Sequence, residues 1–226
     1  MHSSRYTLVF TFCMCVFISV LLAGTSAVLK DRQLLNKKID VQKNILVAAG
    51  INIVHVNQVE KLYNKLVTPL LISSNGKIIK DSQNEDDQNF LKIFCIGHKD
   101  SPEKIASYVY PIKGKGLWSS LYGYLSVNPK GDTIIGITFY KHGETPGLGA
   151  EIEKKWFRDN FAGKKLYEKE KLVGIIVAKG KAKYNINYKQ KSQSMVDGIS
   201  GATITSKGVQ KMLYKEPLKY HIFFNK

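Results

Sequence analysis

The chain opens on an uncharged, mostly apolar run from Thr7 to Leu29, flanked by Arg5 on one side and by Lys30, Asp31 and Arg32 on the other. As a helix this run spans roughly 34 Å, enough to cross a bilayer. Thr25, Ser26 and Ala27 also resemble a signal-peptide cleavage site, but the run is long for such a segment and continues past it, which favours an uncleaved anchor. Behind it, Asp31 to Ala49 carries apolar residues at Leu35, Ile39, Leu46 and Ala49 and stops at Gly50, the pattern of an amphipathic helix. A second helical stretch, Val56 to Leu66, ends before Pro69. The polar, acidic stretch Asp81 to Asn89 reads as a solvated loop.

Strand signals dominate the middle of the chain. FLKIFCIGH, ASYVYPIKG, LYGYLSVNP, DTIIGITFYKH and KLVGIIVAKG alternate or run apolar with β-branched and aromatic residues, each bounded by Gly, Pro, Asn or Asp. Between the last two, AEIEKKWFRDNFAGKKL places Ile152, Trp156 and Phe157 at helical spacing before Gly163. A final helix is expected with Thr205 or Ser206 as N-cap and with Val209, Met212 and Leu213 facing inward. Helices, a run of strands, a helix, a strand and a helix predict an α+β fold: one N-terminal transmembrane helix, then a mainly antiparallel sheet with flanking helices. The expected divisions are an anchor at 1–30, a helical and loop lead-in at 31–90 and a sheet domain at 91–226.

Composition changes this picture little, with 44% hydrophobic and 23% charged residues in 226. The net charge of +16 lies almost wholly behind the anchor. Such a surface suits anionic lipid or acidic partners, and without any helix-turn-helix, zinc-finger or RNP pattern no nucleic-acid partner is expected. Lys30, Arg32, Lys37 and Lys38 outweigh Arg5, so the positive-inside rule taken alone puts the soluble part in the cytoplasm. Cys13 and Cys15 fall in the anchor and leave Cys95 alone, so cysteine usage does not identify a redox compartment. His2, His55, His98, His142 and His221 pair with no other His or Cys at a metal-ligand spacing, and no metal site is expected. There is no G-x-S-x-G elbow, Walker loop or H-E-x-x-H, hence no support for autonomous hydrolase or NTPase chemistry and no catalytic side chain to name.

Three segments carry candidate chemistry. In GKGLWSSLYGYL, glycines lead into Trp118, which either packs in the core or presents a large ring to a ligand. In HGETPGLGAEIEKKW, Thr145, Pro146 and Gly147 make a turn, and Gly147 and Gly149 let the backbone approach a ligand closely. In VDGISGATITSKGVQKML, Asp197 precedes a run of small residues, Ser200, Gly201, Ala202 and Thr203, set against a helix start. Backbone N–H groups and the helix dipole there favour a phosphate, although a plain tight turn with an N-cap accounts for the same letters.

Taken together and in this order behind one N-terminal anchor, the three segments resemble the C subunit of the Na+-translocating NADH:quinone oxidoreductase, and the resemblance extends to KNILVAAGI, Lys43 to Ile51. It implies an FMN-binding domain in which FMN is attached covalently, through a phosphoester, to the last threonine of S-G-A-T. That residue is Thr203 in this chain, with Asp197 as the motif's aspartate, Ser200, Gly201 and Ala202 leading to it, and Trp118, Thr145, Gly147, Leu148 and Gly149 as further candidate flavin contacts. It further implies a separate flavin transferase, the other members of a complex of six subunits, and an inner-membrane location with the soluble part in the periplasm. The implied function is single-electron carriage from an iron–sulfur centre to another flavin-bearing subunit during Na+-coupled quinone reduction. A tether suits a flavin exposed at a membrane surface, because it raises effective concentration without a deep pocket. The G subunit of the Rnf ferredoxin:NAD+ oxidoreductase, similar in its anchor, its ETPGLG turn and its S-G-A-T loop, is the alternative, as is a flavin-free membrane-anchored scaffold.

Overall fold

The computed structural model describes residues 4–73, 75–79, 90–98, 100–168 and 171–224. The chain divides into two units, Met1–Val41 and Gln42–Lys226. Helix α1 (Ser4–Ala48) is continuous, so the apolar anchor and the expected amphipathic helix are one element. Its apolar stretch is long enough to cross a membrane, and its side chains there are exposed. Leu34 and Leu35 are exposed as well, and the buried positions are confined to Gln42, Ile45, Leu46 and Ala48. The helix ends where Gly50 donates its N–H to the Val47 carbonyl at 3.0 Å.

The second unit is built on a six-stranded sheet. A short 3-10 turn (Val56–Gln58) leads into α2 (Val59–Leu66), as the spacing predicts. Strand β1 (Val67–Ser73) follows at once, then the short β2 (Ile78–Ile79), where only helix and loop were expected. The expected acidic loop lies outside the described residues. Strands β3 (Phe90–Gly97), β4 (Ile105–Lys115), β5 (Ser120–Val127) and β6 (Ile134–Lys141) match the predicted runs. The sheet order is β2-β1-β3-β4-β5-β6 with every neighbour antiparallel, so the fold is α+β with a mainly antiparallel sheet.

The rest of the chain is less regular than its pattern predicts. The expected helix after β6 is a 3-10 turn (Gly149–Glu153), one turn of helix α3 (Lys155–Arg158) and a second 3-10 turn (Asp159–Phe161). Ile152 and Phe157 are fully buried there, while Trp156 faces solvent and donates from Nε1 to Glu151 Oε2. After the short β7 (Tyr167–Glu168), the run KLVGIIVAKG yields only two two-residue strands, β8 (Lys171–Leu172) and β9 (Ile176–Val177), instead of one long strand. Between them the N–H groups of Val173 and Gly174 both turn back to the Leu166 carbonyl, which breaks the ladder. A one-turn helix α4 (Tyr188–Lys191) and the short β10 (Met195–Val196), parallel to β9, complete this region.

Helix α5 (Thr203–Phe224) closes the fold. It starts at Thr203, so Thr205 and Ser206 are not N-caps; both lie in the first turn and are buried. Val209, Met212, Leu213, Tyr220 and Phe223 recur at helical spacing and bury one stripe against the sheet. Tyr220 stacks on Tyr110 of β4 with ring centroids 4.1 Å apart. Each large apolar side chain so buried contributes about 1.5–3 kcal/mol. From the end of α1, the Asn44 carbonyl accepts a hydrogen bond from Thr138 Oγ1 of β6. Sheet and helix thus hold rigid the three loops that converge at the start of α5.

Candidate functional site

The three loops meet on one carboxylate. Glu144, 6% exposed, follows β6; its Oε1 accepts the backbone N–H groups of Trp118 (3.0 Å) and Ser119 (3.3 Å), and its Oε2 accepts that of Leu117 (3.1 Å). Thr205 Oγ1, from the first turn of α5, donates to Glu144 Oε2. Burial pushes the Glu144 carboxyl upward, but the Thr205 hydroxyl and the three N–H donors outweigh it and hold the group below the ordinary carboxylate range. A charge buried in this way is satisfied on both oxygens. Sequence reasoning passed over Glu144, the acid of the ETPGLG turn. The only available signal was a lone acidic residue inside a glycine turn of a strongly basic chain.

Packing around the carboxylate explains one of the glycines. A Cβ on Gly149 would lie 2.7 Å from Thr205 Oγ1 and 2.8 Å from Glu144 Oε2, so any side chain there would push the junction apart. The turn is closed by the Thr145 carbonyl, which accepts from the N–H groups of Leu148 and Ala150 at 3.1 Å. Thr145, Gly147 and Leu148 are exposed, and Leu148 lies against Gly201, where an added Cβ would meet its Cδ2 at 2.8 Å. Gly201 also takes a φ of +74°, a conformation that L side chains rarely adopt.

The remaining candidate residues flank this junction. Trp118 is 71% exposed, so it stands out from the turn and does not pack in the core. Thr203 and Ser200 are exposed at the start of α5, whereas Ala202 is buried beneath them and donates its N–H to the Ile199 carbonyl. Asp197 sits apart from Glu144: Oδ1 accepts the Ala182 N–H and Oδ2 accepts from Lys181 Nζ, both at 2.8 Å. Burial pushes the Asp197 carboxyl upward, but these two donors outweigh it and lower its pKa. Asp197 therefore anchors the neighbouring Lys179–Ala182 loop, and Gly198 extends that anchor by donating its N–H to the Gly180 carbonyl at 2.8 Å.

Between that loop and α5 lies a cleft of about 510 Å³, lined by Lys179, Gly180, Ser200, Thr203, Ser206 and Lys207 among others. No group of three or more His, Cys, Asp or Glu side chains among the described residues is placed to hold a metal ion. The arrangement offers an exposed hydroxyl at a helix N-terminus, two lysines, and exposed apolar side chains at Leu117, Trp118 and Leu148. Such a site suits a ligand with an anionic end and a flat apolar end.

A family model described as an FMN-binding domain matches residues 116–215, which contain all three loops. The C subunit of the Na(+)-translocating NADH-quinone reductase from Pasteurella multocida is 34% identical over 219 aligned residues, covering 84% of this chain and 81% of the relative. The chain belongs to the family of that subunit. Its counterpart from Haemophilus ducreyi is also 34% identical, over 84% of this chain and 80% of its own length. The crystal structure of the C subunit from Parabacteroides distasonis superposes with a TM-score of 0.75 at 33% identity, covering 88% of this chain and 98% of that one. NqrC of Shewanella oneidensis gives 0.73 at 30% identity, covering 84% and 97%. Membership of this family makes the chain one subunit of an oxidoreductase complex rather than an autonomous enzyme.

Proposed function

We propose that this protein carries FMN on Thr203 and relays single electrons within a Na+-translocating NADH:quinone reductase. The observation that carries this reading is the contrast between two threonines in the first turn of α5. The Thr203 hydroxyl is exposed on the cleft at the start of α5, while Thr205 is 1% exposed and its hydroxyl is committed to Glu144. Esterification at Thr203 leaves the junction intact; at Thr205 it would destroy it.

The site fits the group in size, charge and shape. A cleft of about 510 Å³ is ample for a flavin nucleotide's polar arm. A phosphodiester on Thr203 carries one negative charge, which the α5 dipole and the N–H groups of its first turn favour, with Lys179 and Lys207 beside it. Trp118, Leu117 and Leu148 provide exposed apolar surface to cover a ring system and exclude water from one side, and Thr145 and Gly147 shape the turn that presents Leu148. When bound, FMN supplies the one-electron redox chemistry, and the protein supplies position and electrostatics.

In this reading residues 1–30 anchor the protein in the inner membrane, residues 31–90 lead into the sheet, and residues 91–226 hold the flavin in the periplasm. There a separate flavin transferase has access to the Asp197–Thr203 loop. The chain then serves as a relay between an iron–sulfur centre and a second flavin in neighbouring members of a complex of six subunits. The basic residues Lys30, Arg32, Lys37 and Lys38 act against this orientation under the positive-inside rule, and access for the transferase is the reason to accept it.

Co-expression with a flavin transferase tests the assignment. The expected result is a band whose flavin fluorescence survives SDS, with the FMN mass on the peptide containing Thr203. An unlabelled band under those conditions would instead favour a flavin-free scaffold. Resistance of the soluble part to protease added to spheroplasts would overturn the periplasmic orientation.

A further inference from the structure

The turn that carries Ile186 is the most exposed apolar point among the described residues. Ile186 is 96% exposed and Tyr184 79%, whereas Val28, the most exposed large side chain of the apolar run in α1, reaches 80%. Backbone bonds close this turn. The Asn185 carbonyl accepts the Tyr188 N–H and Asn185 Oδ1 accepts the Asn187 N–H, both at 2.9 Å, while Asn185 donates its own N–H to the Ala182 carbonyl. Beneath it Ala178, Ala182 and Met195 form a small core on which Tyr188 packs. Ile186 is thus held out in water by a folded turn, which forgoes the free energy of burying it.

The surroundings of the turn are strongly basic. Lys179, Lys181, Lys183, Lys189 and Lys191 bracket the two apolar side chains in sequence, and no Asp or Glu occurs between Lys171 and Val196. Lys183 Nζ stands 4.9 Å from the centre of the Tyr184 ring. Beside them opens a cleft of about 470 Å³, lined by Lys164, Lys181, Lys183, Tyr184 and Tyr188 among others; Asp197 also lines it and is paired with Lys181 at 2.8 Å. Lysine is depleted at protein–protein interfaces, which weighs against a protein surface as the partner. An anionic bilayer suits every feature at once: isoleucine enters the hydrocarbon boundary, tyrosine settles at the polar–apolar interface, and lysine meets phosphate headgroups. Only residues 30–41 separate the apolar run of α1 from the second unit, so the chain itself keeps a bilayer within reach.

We propose that residues 179–191 form a second membrane contact, in which Ile186 and Tyr184 enter the interfacial layer of an anionic bilayer and the lysines engage lipid phosphates. The contact is continuous with the flavin loop. Asp197 accepts from the Ala182 N–H and from Lys181 Nζ, and Gly198 donates its N–H to the Gly180 carbonyl. Seating this turn on lipid therefore sets the depth of residues 197–203 relative to the membrane surface. That consequence rests on the proposed function, whereas the contact itself does not.

The test uses the full chain in nanodiscs without other subunits. Ile186→Trp places an indole at the tip of the turn, and wild type supplies the background emission of Trp118 and Trp156. In discs of phosphatidylglycerol, lipids brominated in their acyl chains should quench the added emission at least about twice as strongly as in discs of phosphatidylcholine. Lys183→Glu, Lys189→Glu and Lys191→Glu combined with it should lower the bound-to-free ratio read from that quenching by at least about tenfold, since each lysine at the surface is worth roughly fivefold. All four positions are exposed, so the melting temperature should stay at the wild-type value and separate lost contact from lost folding. Unquenched emission in phosphatidylglycerol, or equal quenching with and without the three lysines, would overturn the contact. Protection of the indole only after the other subunits are added would overturn it too and make the turn a protein interface. Quenching in a chain that takes no covalent flavin would leave the contact standing and overturn the proposed function.

Discussion

Thr205 Oγ1 donates to Glu144 Oε2 at 2.5 Å, joining residues 61 apart in sequence. Because the same carboxylate also gathers three N–H groups of the Leu117–Ser119 turn, Thr205 is a strut of this junction, its hydroxyl already committed to Glu144.

Thr203→Ala should therefore abolish covalent flavin while changing stability by less than about 0.5 kcal/mol, since the side chain is exposed. Thr205→Ala should lose about 1–3 kcal/mol, having removed a buried hydrogen bond to a charged group, yet still accept FMN at Thr203. Urea unfolding together with peptide mass spectrometry checks both. An adduct on Thr205 or Ser200 would overturn the assignment.

Glu144→Gln keeps the shape but replaces one acceptor oxygen with an N–H donor facing other donors, and should cost about 2–3 kcal/mol at pH 7. The fold holds the Glu144 carboxyl below its unfolded value of about 4.3. Its contribution is therefore complete above the ordinary carboxylate range and is lost as pH falls through the folded value. Urea midpoints measured from pH 7 downward should fall less steeply for the Gln variant than for wild type. Some slope should remain, because Asp132 and Asp197 are shifted the same way. Parallel curves for the two proteins would remove Glu144 from this role.

The two glycines of the turn should separate. Gly147 has φ +73° with nothing within 4 Å of an added Cβ, so Gly147→Ala should cost about 1–2 kcal/mol in backbone strain and leave the flavin spectrum unchanged. Gly149→Ala would drive a methyl into Thr205 and Glu144, and should shift visible absorption and reduction potential of the flavinylated protein. Identical spectra for both variants and wild type would mean that the junction does not shape the flavin's surroundings.

Trp118→Phe should change stability by no more than about 0.5 kcal/mol, because the ring is exposed and no core is lost. The effect is expected in the flavinylated protein, as altered fluorescence quenching and a shifted potential. A destabilised variant with wild-type flavin fluorescence would contradict both expectations.

Local pattern alone determined the apolar helix, the four central strands and the existence of a final helix, because burial of one face imposes its period on nearby residues. Gly50 and the β-branched runs ending in polar turns mark boundaries through backbone preferences that need no distant partner. Strand β1 escaped because VTPLLIS neither alternates nor lacks proline, and it becomes a strand by pairing with β3, which follows more than fifteen residues later in sequence. The run KLVGIIVAKG failed in the opposite sense. Ile175 and Ala178 are buried, the other apolar residues of the run are half-buried, and among the described residues it pairs only in two-residue pieces, β8 with β7 and β9 with β10. The three candidate loops could be recognised one by one, but not the atom that unites them. A single glutamate in a glycine turn looks like a solvated charge until the fold brings four donors to its two oxygens, from a turn 25 to 27 residues upstream and a helix 61 residues downstream. Tertiary structure decided that point, because burying a carboxylate is favourable only where distant segments supply its hydrogen bonds.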